Sequence, residues 1–327
     1  PGNDAAAFFI RGQSSYAGGT SPLVLVDGVP RRMDDIDVEE IETFTVLKDA
    51  AATSVYGAEG ANGVVLITSK RGKVQKTIAN FTAQTSVMTP QRLMKLMDSY
   101  TYLSLFNEAQ WNDQGNPNKD VFRPQFTQER LEKYRTGEDP DLYPSVNWMD
   151  LLRSNTQSSR YTVNFRGGSD KVRFFTSGAY FKENGIFQSN PMENYNSNIG
   201  LDRFNLRSNI DMQLTNSTQL SVDMSGQYLR RNQPGFTSDD IFAFISRYPV
   251  HIIPMVYSDG SASDHGAVGA AVVNQPYNML NNSGYRKIWS GYLQSKVALR
   301  QDLKFITEGL FANGVVSFDA DFTSTLI

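Results

Sequence analysis

Over much of the chain, apolar and polar residues alternate with a period of two. Phe204, Leu206, Ile210, Met212 and Leu214 fall on one side of an extended segment, and Asn205, Arg207, Asn209, Asp211 and Gln213 on the other. Successive side chains of a β-strand point to opposite faces, so this alternation predicts a long strand with one greasy and one wet face. Leu220, Val222, Met224 and Tyr228 oppose Ser221, Asp223, Ser225 and Gln227 in the next segment. Tyr161, Val163 and Phe165 oppose Arg160, Thr162, Asn164 and Arg166, and Trp289, Leu293, Val297 and Leu299 oppose Tyr292, Gln294, Lys296 and Arg300. Segments Thr77 to Val87, Val172 to Phe181 and Leu303 to Val316 alternate less cleanly, and their faces stay unassigned. The sum is about seven strands.

The connections alternate between tight and long. Gly167 to Lys171, Thr215 to Thr218 and Gln301–Asp302 read as hairpin turns. The other connections run from about 89 to 157, 183 to 200 and 231 to 285, with helical stretches expected at Leu93 to Ala109, Thr127 to Tyr134 and Asp239 to Ile245. Outer-membrane barrels have short turns at one rim and long loops at the other. The pattern therefore predicts a mainly β, transmembrane antiparallel barrel.

Before residue 74 the pattern differs. Short strands are expected at Phe8 to Arg11, Leu23 to Val26, Ile41 to Leu47 and Val64 to Ser69, with a turn at Asp27–Gly28. Asp49 is a suitable N-cap, alanines follow it, and Gly57 supplies a left-handed stop, which predicts a short helix between the last two strands. Residues 1–73 are expected to form a small mixed α/β domain and residues 74–327 the barrel strands with their long loops.

Composition narrows the function. The chain has 327 residues, with 31 Lys and Arg against 34 Asp and Glu. A formal charge of -3 gives no footprint for a phosphate backbone, so no nucleic-acid partner is expected. It has no cysteine, which removes disulfides, thiolate metal sites and cysteine nucleophiles together and suits an exported bacterial protein. Starting at Pro1 without a signal segment, it reads as a processed or partial chain. There is no Gly-x-Ser-x-Gly elbow, and Gly57, Gly60 and Gly63 lack the Gly-Lys-Ser/Thr ending of a phosphate loop. The carboxylates Asp34, Asp35, Asp37, Glu39, Glu40 and Glu42 lack calcium-loop spacing and read as a solvated acidic loop. Neither an enzyme, a cofactor nor a metal site is expected.

Pro22 to Pro30 (Pro-Leu-Val-Leu-Val-Asp-Gly-Val-Pro), and the run from Glu40 through Lys48, Asp49, Tyr56–Gly57, Gly60, Asn62–Gly63 to Lys70–Arg71–Gly72, resemble the plug domain of SusC/RagA-type TonB-dependent outer-membrane transporters of Bacteroidota. The likeness extends to Asn147–Trp148, Gly168 to Lys171, Gly178 to Tyr180 and Glu183 to Gly185. It implies a 22-stranded barrel with a plugged lumen, far more strands than this chain supplies. It also implies a SusD-like surface lipoprotein acting as a lid over a glycan or peptide ligand, outer-membrane lipid around the wall, and a TonB complex acting through an N-terminal segment that does not precede Pro1 here.

The resemblance also suggests roles for residues. Gln13, Ser14, Ser15 and Tyr16 in a plug loop, and Asn164, Arg207 and Asn209 on the wet strand faces, are candidates for substrate contact or for fastening plug to wall. Trp111, Tyr143 and Tyr248 in the long loops are candidates for cargo or lid contact. Glu59 stands where such plugs usually carry arginine, and is expected to pair with Arg166 or Arg207. A soluble β-sandwich binding module and a passive pore remain as alternatives.

Overall fold

The structure, a computed structural model, describes residues 21–48, 54–190, 195–263 and 275–327. The strand expected at Phe8 to Arg11, the Asp49 cap and the loop candidates Gln13, Ser14, Ser15 and Tyr16 lie outside the described residues.

Two sheets organise the chain. The smaller one contains β1 (Leu23–Val26), β2 (Val29–Pro30), β3 (Ile41–Leu47) and β4 (Val64–Ser69), in the order β2-β1-β4-β3. Strands β1 and β4 run parallel, Leu23 beside Val64 and Val26 beside Ile67, while the other pairs are antiparallel. Strand β1 is apolar throughout and β4 from Val64 to Ile67, as strands covered on two sides require, before Thr68 and Ser69 end the run. Val26, Ile36, Val65 and Ile67 form their core. The turn into β2 has Asp27 at φ 52° and Gly28 at φ 83°, the positive pair that a tight primed hairpin needs. Ahead of β4 the described part of the expected helix, Ser54–Gly60, consists of 3-10 turns broken at Gly57. Gly57 has the anticipated positive φ of 59°, but its ψ of -146° turns the chain more sharply than a left-handed helix stop.

The larger sheet is a seven-stranded antiparallel meander in which each strand pairs with the next in sequence. It comprises β5 (Gln75–Met88), β6 (Thr156–Gly168), β7 (Val172–Asn184), β8 (Gly200–Gln213), β9 (Thr218–Pro234), β10 (Tyr285–Asp302) and β11 (Phe311–Leu326). The final hairpin differs from expectation. Instead of turning at Gln301–Asp302, β10 continues through Asp302, and residues Leu303 to Leu310 form the turn, closed by Leu303 N–H donating to the Leu310 carbonyl. Strand register also assigns the faces that alternation left open. Phe81 pairs with Val163, Tyr180 with Tyr161, and Val316 with Val297, which places each first-named residue on its partner's apolar face.

That apolar face is the exposed one. Leu206 is 62% exposed, whereas its neighbour Arg207 is 1% exposed. Thr162, Ser177, Asn205, Asn209, Asp211, Asp223, Ser225 and Gln227 are buried on the wet face, while Phe81, Val163, Phe204, Met224, Leu293 and Phe318 are exposed on the other. Water as sole solvent would select the reverse arrangement. A row of rings crosses the apolar face from β6 to β9: Tyr161 stacks on Tyr180, Tyr180 on Phe204 at 4.8 Å, and Phe204 meets Tyr228 at 6.3 Å. Aromatic girdles of this kind mark the interfaces of transmembrane barrels.

The long connections gather beyond one end of the sheet. They carry α1 (Ser99–Asp113), α2 (Gln128–Thr136), α3 (Ser238–Arg247) and α4 (Pro276–Asn281). Asp98, Thr127 and Thr237 cap the first three, each accepting a backbone N–H three residues on. Trp148, Leu151, Phe187, Ile241, Ile245 and Leu280 are among the residues of a conventional hydrophobic core there. Among the described residues, no helix is long and apolar enough to cross a membrane.

Candidate functional site at the plug and barrel wall

The small sheet lies against the wet face of the large one, and the two are joined by charge. At the centre is Arg207 of β8. Its Nε donates to Glu40 Oε2 at 2.7 Å, and Nη1 lies 3.9 Å from Asp27 Oδ2. All three side chains are almost fully enclosed, with exposures of 1–3%. Asp27 is held in turn by Ser69, whose N–H and Oγ donate to its two carboxylate oxygens at 2.9 and 2.6 Å. Next to Arg207 on the same face, Asn209 Nδ2 donates to Ser69 Oγ and to the Lys70 carbonyl. The lysine Lys296 reaches from β10 to the Asp27 carbonyl at 2.7 Å and lies 3.6 Å from Asp223.

Around this centre the pairing runs in both directions. Arg71, just after β4, binds wall carboxylates: Nη1 to Asp211 at 2.9 Å and Nη2 to Asp223 at 2.6 Å. Arg31 lies 2.7 Å from Asp319 of β11. Conversely, wall arginines bind the small sheet: Arg160 to Asp37 at 2.8 Å, and Arg166 to Glu42 at 3.3 Å and to the Arg71 carbonyl. Gln294 of β10 donates to Asp35. Arranging these side chains on one face follows from strand period alone, because Asn205, Arg207, Asn209 and Asp211 are alternate residues.

Burial acts on the carboxylates. It pushes the Glu40 carboxyl above its ordinary value, opposed by the charge and hydrogen bond of Arg207. Asp35 is also raised by burial, opposed chiefly by Arg32. A buried ion pair is a weak source of net stability, but removal of one partner is costly. The network therefore fixes one register between sheets and penalises separation that leaves any member dry and alone.

Two expectations are corrected here. Glu59 is exposed, and Arg166 and Arg207 are engaged by Glu42 and Glu40 instead. The acidic run 34–42 is not a solvated loop: Asp37 is 4% and Glu40 2% exposed, and four of its six carboxylates meet wall residues. A signal for this was present in the sequence. Arg160, Arg166 and Arg207 all fall on wet strand faces and offer counter-charges to a dense acidic segment.

The other candidates are placed as follows. Arg207 and Asn209 are covered by the small sheet, while Asn164 accepts from Asn80 and borders a recess of about 480 Å³ with Lys70 and Arg166. The loop aromatics serve packing: Trp111 donates to the Pro117 carbonyl, Tyr143 stands edge-on to Tyr134, and Tyr248 edge-on to Trp148. Among the described residues, no group of three or more His, Cys, Asp or Glu is placed to hold a metal.

Residues 1–64 match the family described as the TonB-dependent receptor plug domain. The chain is 25% identical to TonB-dependent receptor P26 of Formosa agariphila over 85% of its length, and 23% identical to TonB-dependent receptor SusC of Bacteroides thetaiotaomicron over 73%. It spans about a quarter of each relative, 26% and 24%. The RagAB peptide importer in its closed-closed state superposes with a TM-score of 0.71 at 20% identity, over 96% of this chain and 36% of that one. A plug-like sheet packed on the inner face of a barrel segment is thus the arrangement on which residues 1–64 match a receptor plug family, and the chain as a whole is similar to TonB-dependent receptors in sequence and to the RagAB importer in fold.

Proposed function

We propose that the chain is the plug, residues 1–73, and the opening barrel segment, residues 74–327, of an outer-membrane importer that takes up a glycan or oligopeptide. The observation that carries this reading is the inverted sheet, apolar outside and charged inside, with a plug ionically fastened to its charged face. In this reading the long connections face outside the cell and meet a SusD-like lipoprotein lid. Gln13, Ser14, Ser15 and Tyr16 of the plug, together with Asn164, line the route of the ligand. Arg207 and Asn209 then meet cargo only after the plug has moved. A TonB complex supplies the work that separates plug from wall.

Stored interactions explain why such work is needed. Displacing the plug uncovers Arg207, Asp211 and Asp223, and takes Glu40 from the first and Arg71 from the other two, leaving Asp211 only Ser221 and Asp223 only Lys296 on the wall. Once water enters, the charges are rehydrated, so the path is blocked when dry and passable when wet. The fold shared with a peptide importer favours oligopeptide cargo, and the SusC likeness keeps glycans in view.

Uptake by cells expressing the full-length protein with its lid, using fluorescent oligopeptides and oligosaccharides, tests the proposal. Deleting the gene or collapsing the proton gradient should abolish uptake of one class. Uptake that survives loss of the gradient identifies a passive pore instead.

A further inference from the structure

Two recesses on the apolar face of the large sheet lie one above the other along the same strands. The upper one, about 520 Å³, is at the end nearest the long connections and is lined by Arg153, Lys182, Asp202, Arg230, Lys287 and Trp289, with asparagines from the loops closing it from above. The lower one, about 590 Å³, is bounded by Phe204, Leu206, Tyr228, Leu293 and Phe322. Residues 202, 230 and 289 are each two positions from 204, 228 and 291 on β8, β9 and β10, so the recesses are one side-chain step apart, about 7 Å.

Part of the floor of the lower recess is left bare at Gly226, while the Phe322 ring lies over Gly291 and forms one wall. Register puts Gly226 directly between Leu206 and Leu293, and Gly291 between Tyr228 and Phe322. Glycine inside a strand marks a place where another group approaches the backbone closely. A Cβ on Gly226 would meet only the Tyr292 carbonyl oxygen, at 3.8 Å, so the slot is open at this point rather than filled by a neighbour. It is an open recess lined mainly by apolar and aromatic side chains, the chemistry that a hydrocarbon chain needs.

The upper recess has the opposite chemistry. Four cations line it against two carboxylates, Glu183 and Asp202. Asp202 is already satisfied by Arg230 at 2.8 Å and by the Tyr180 hydroxyl at 2.7 Å. Arg153, Lys182 and Lys287 form no salt bridge among the described residues. Asn184, Asn196, Asn198 and Asn232 add amides, and Trp289 adds an indole. Phosphate suits the cations, and sugar hydroxyls suit the amides and ring.

We propose that this wall carries a bound phosphorylated glycolipid, its head group in the upper recess and one acyl chain in the slot over Gly226. The proposal rests on the sheet standing in a membrane with its long loops outward, and it assigns the site to the outer leaflet. Charge complementarity selects an anionic lipid, and the contiguous slot selects a lipid over free phosphate. The ligand is a structural lubricant and anchor at the wall, separate from the plug and its cargo.

Full-length transporter in nanodiscs of neutral phospholipid, doped with equal amounts of a phosphorylated glycolipid and its dephosphorylated counterpart, provides the test. Native mass spectrometry reads which lipid stays on the protein. The phosphorylated lipid should be enriched, and Lys182→Gln and Lys287→Gln should each lower that enrichment about fivefold, the loss expected for one basic residue at a charged membrane surface. Gly226→Leu should reduce retention of both lipids, and Lys304→Gln, in the turn at the far rim, should change neither. Equal retention of the two lipids, or enrichment untouched by the lysine variants, overturns the site while leaving the barrel intact. A protein that does not enter nanodiscs overturns the membrane reading and the site together.

Discussion

The loop cap and the barrel wall solve burial in opposite ways. In the cap, Trp148, Ile241, Ile245 and Leu280 are fully enclosed and charged residues such as Glu129 lie outside, as in any water-soluble core. In the wall, Arg207, Asn209 and Asp223 are enclosed while Leu206 and Phe318 are exposed. One chain therefore carries two hydrophobic logics, separated by the aromatic row at Tyr161, Tyr180, Phe204 and Tyr228. The difference teaches that burial by itself does not report the driving force. What matters is which solvent each face meets.

The comparison can be broken most forcefully at Arg207. Arg207→Ala leaves Glu40 and Asp27 enclosed without their cation, at a cost of about 3–5 kcal/mol to the docking of plug on wall. Limited proteolysis of the plug in the full-length protein should show it released, with the wall still protected. In the cap, Ile241→Ala removes a wholly enclosed side chain and should cost about 2–5 kcal/mol. Hydrogen exchange should rise in 238–247 and 276–281 while the strands keep their protection.

A lipid-facing substitution sharpens the contrast between the two regions. Ile210 lies about 15 Å below the aromatic row, near the middle of a ~25 Å apolar band, so Ile210→Arg should cost about 2–4 kcal/mol in a bilayer. Leu206→Arg, one side-chain step from the row at Phe204, should cost less, because the penalty falls with distance from the midplane. Unfolding titrations in lipid vesicles measure both. If Ile210→Arg is neutral there, the apolar face does not meet hydrocarbon.

The smallest effect is a pH dependence confined to the cap. His251 stacks on Tyr102 at 5.1 Å, and burial, with Arg130 nearby, holds its pKa below the ordinary histidine value of 6.5. A group with a lowered pKa in the folded state is fully stabilising above its unfolded value and loses that contribution as pH falls. The cap should therefore loosen as pH drops below about 6.5, seen as faster exchange in 99–113. His251→Phe should keep the stacking and remove the pH dependence.

Much of this was legible in the sequence, for a physical reason. A wall with lipid on one side and polar contacts on the other must alternate strictly, so β6, β8 and β9 announce their faces at Tyr161, Phe204 and Met224. Strands β1 and β4 were equally plain, as apolar runs bounded by glycine. The start of β11 was not, because Leu303, Phe305 and Ile306 in the final turn imitate the apolar half of a strand. At the site, Arg166, Arg207 and Asn209 could be placed on the wet face by period alone. Their partners could not, since pairing Glu40 with Arg207 spans 167 positions and depends on how two sheets meet. Glu59 was adjacent to the plug's glycines, but adjacency along the chain does not point a side chain at the wall.

Single-cysteine spin labels give the most direct test, because the chain has no cysteine of its own. Labels at Leu206, Val163 and Leu293 of the full-length protein in bilayers should be relaxed strongly by dissolved oxygen and weakly by a water-soluble nickel chelate. Labels at Thr162 and Ser225 should be reached poorly by both while the plug is seated. Strong relaxation by the nickel chelate at Leu206 and Leu293 would contradict a lipid-bathed wall around an enclosed plug.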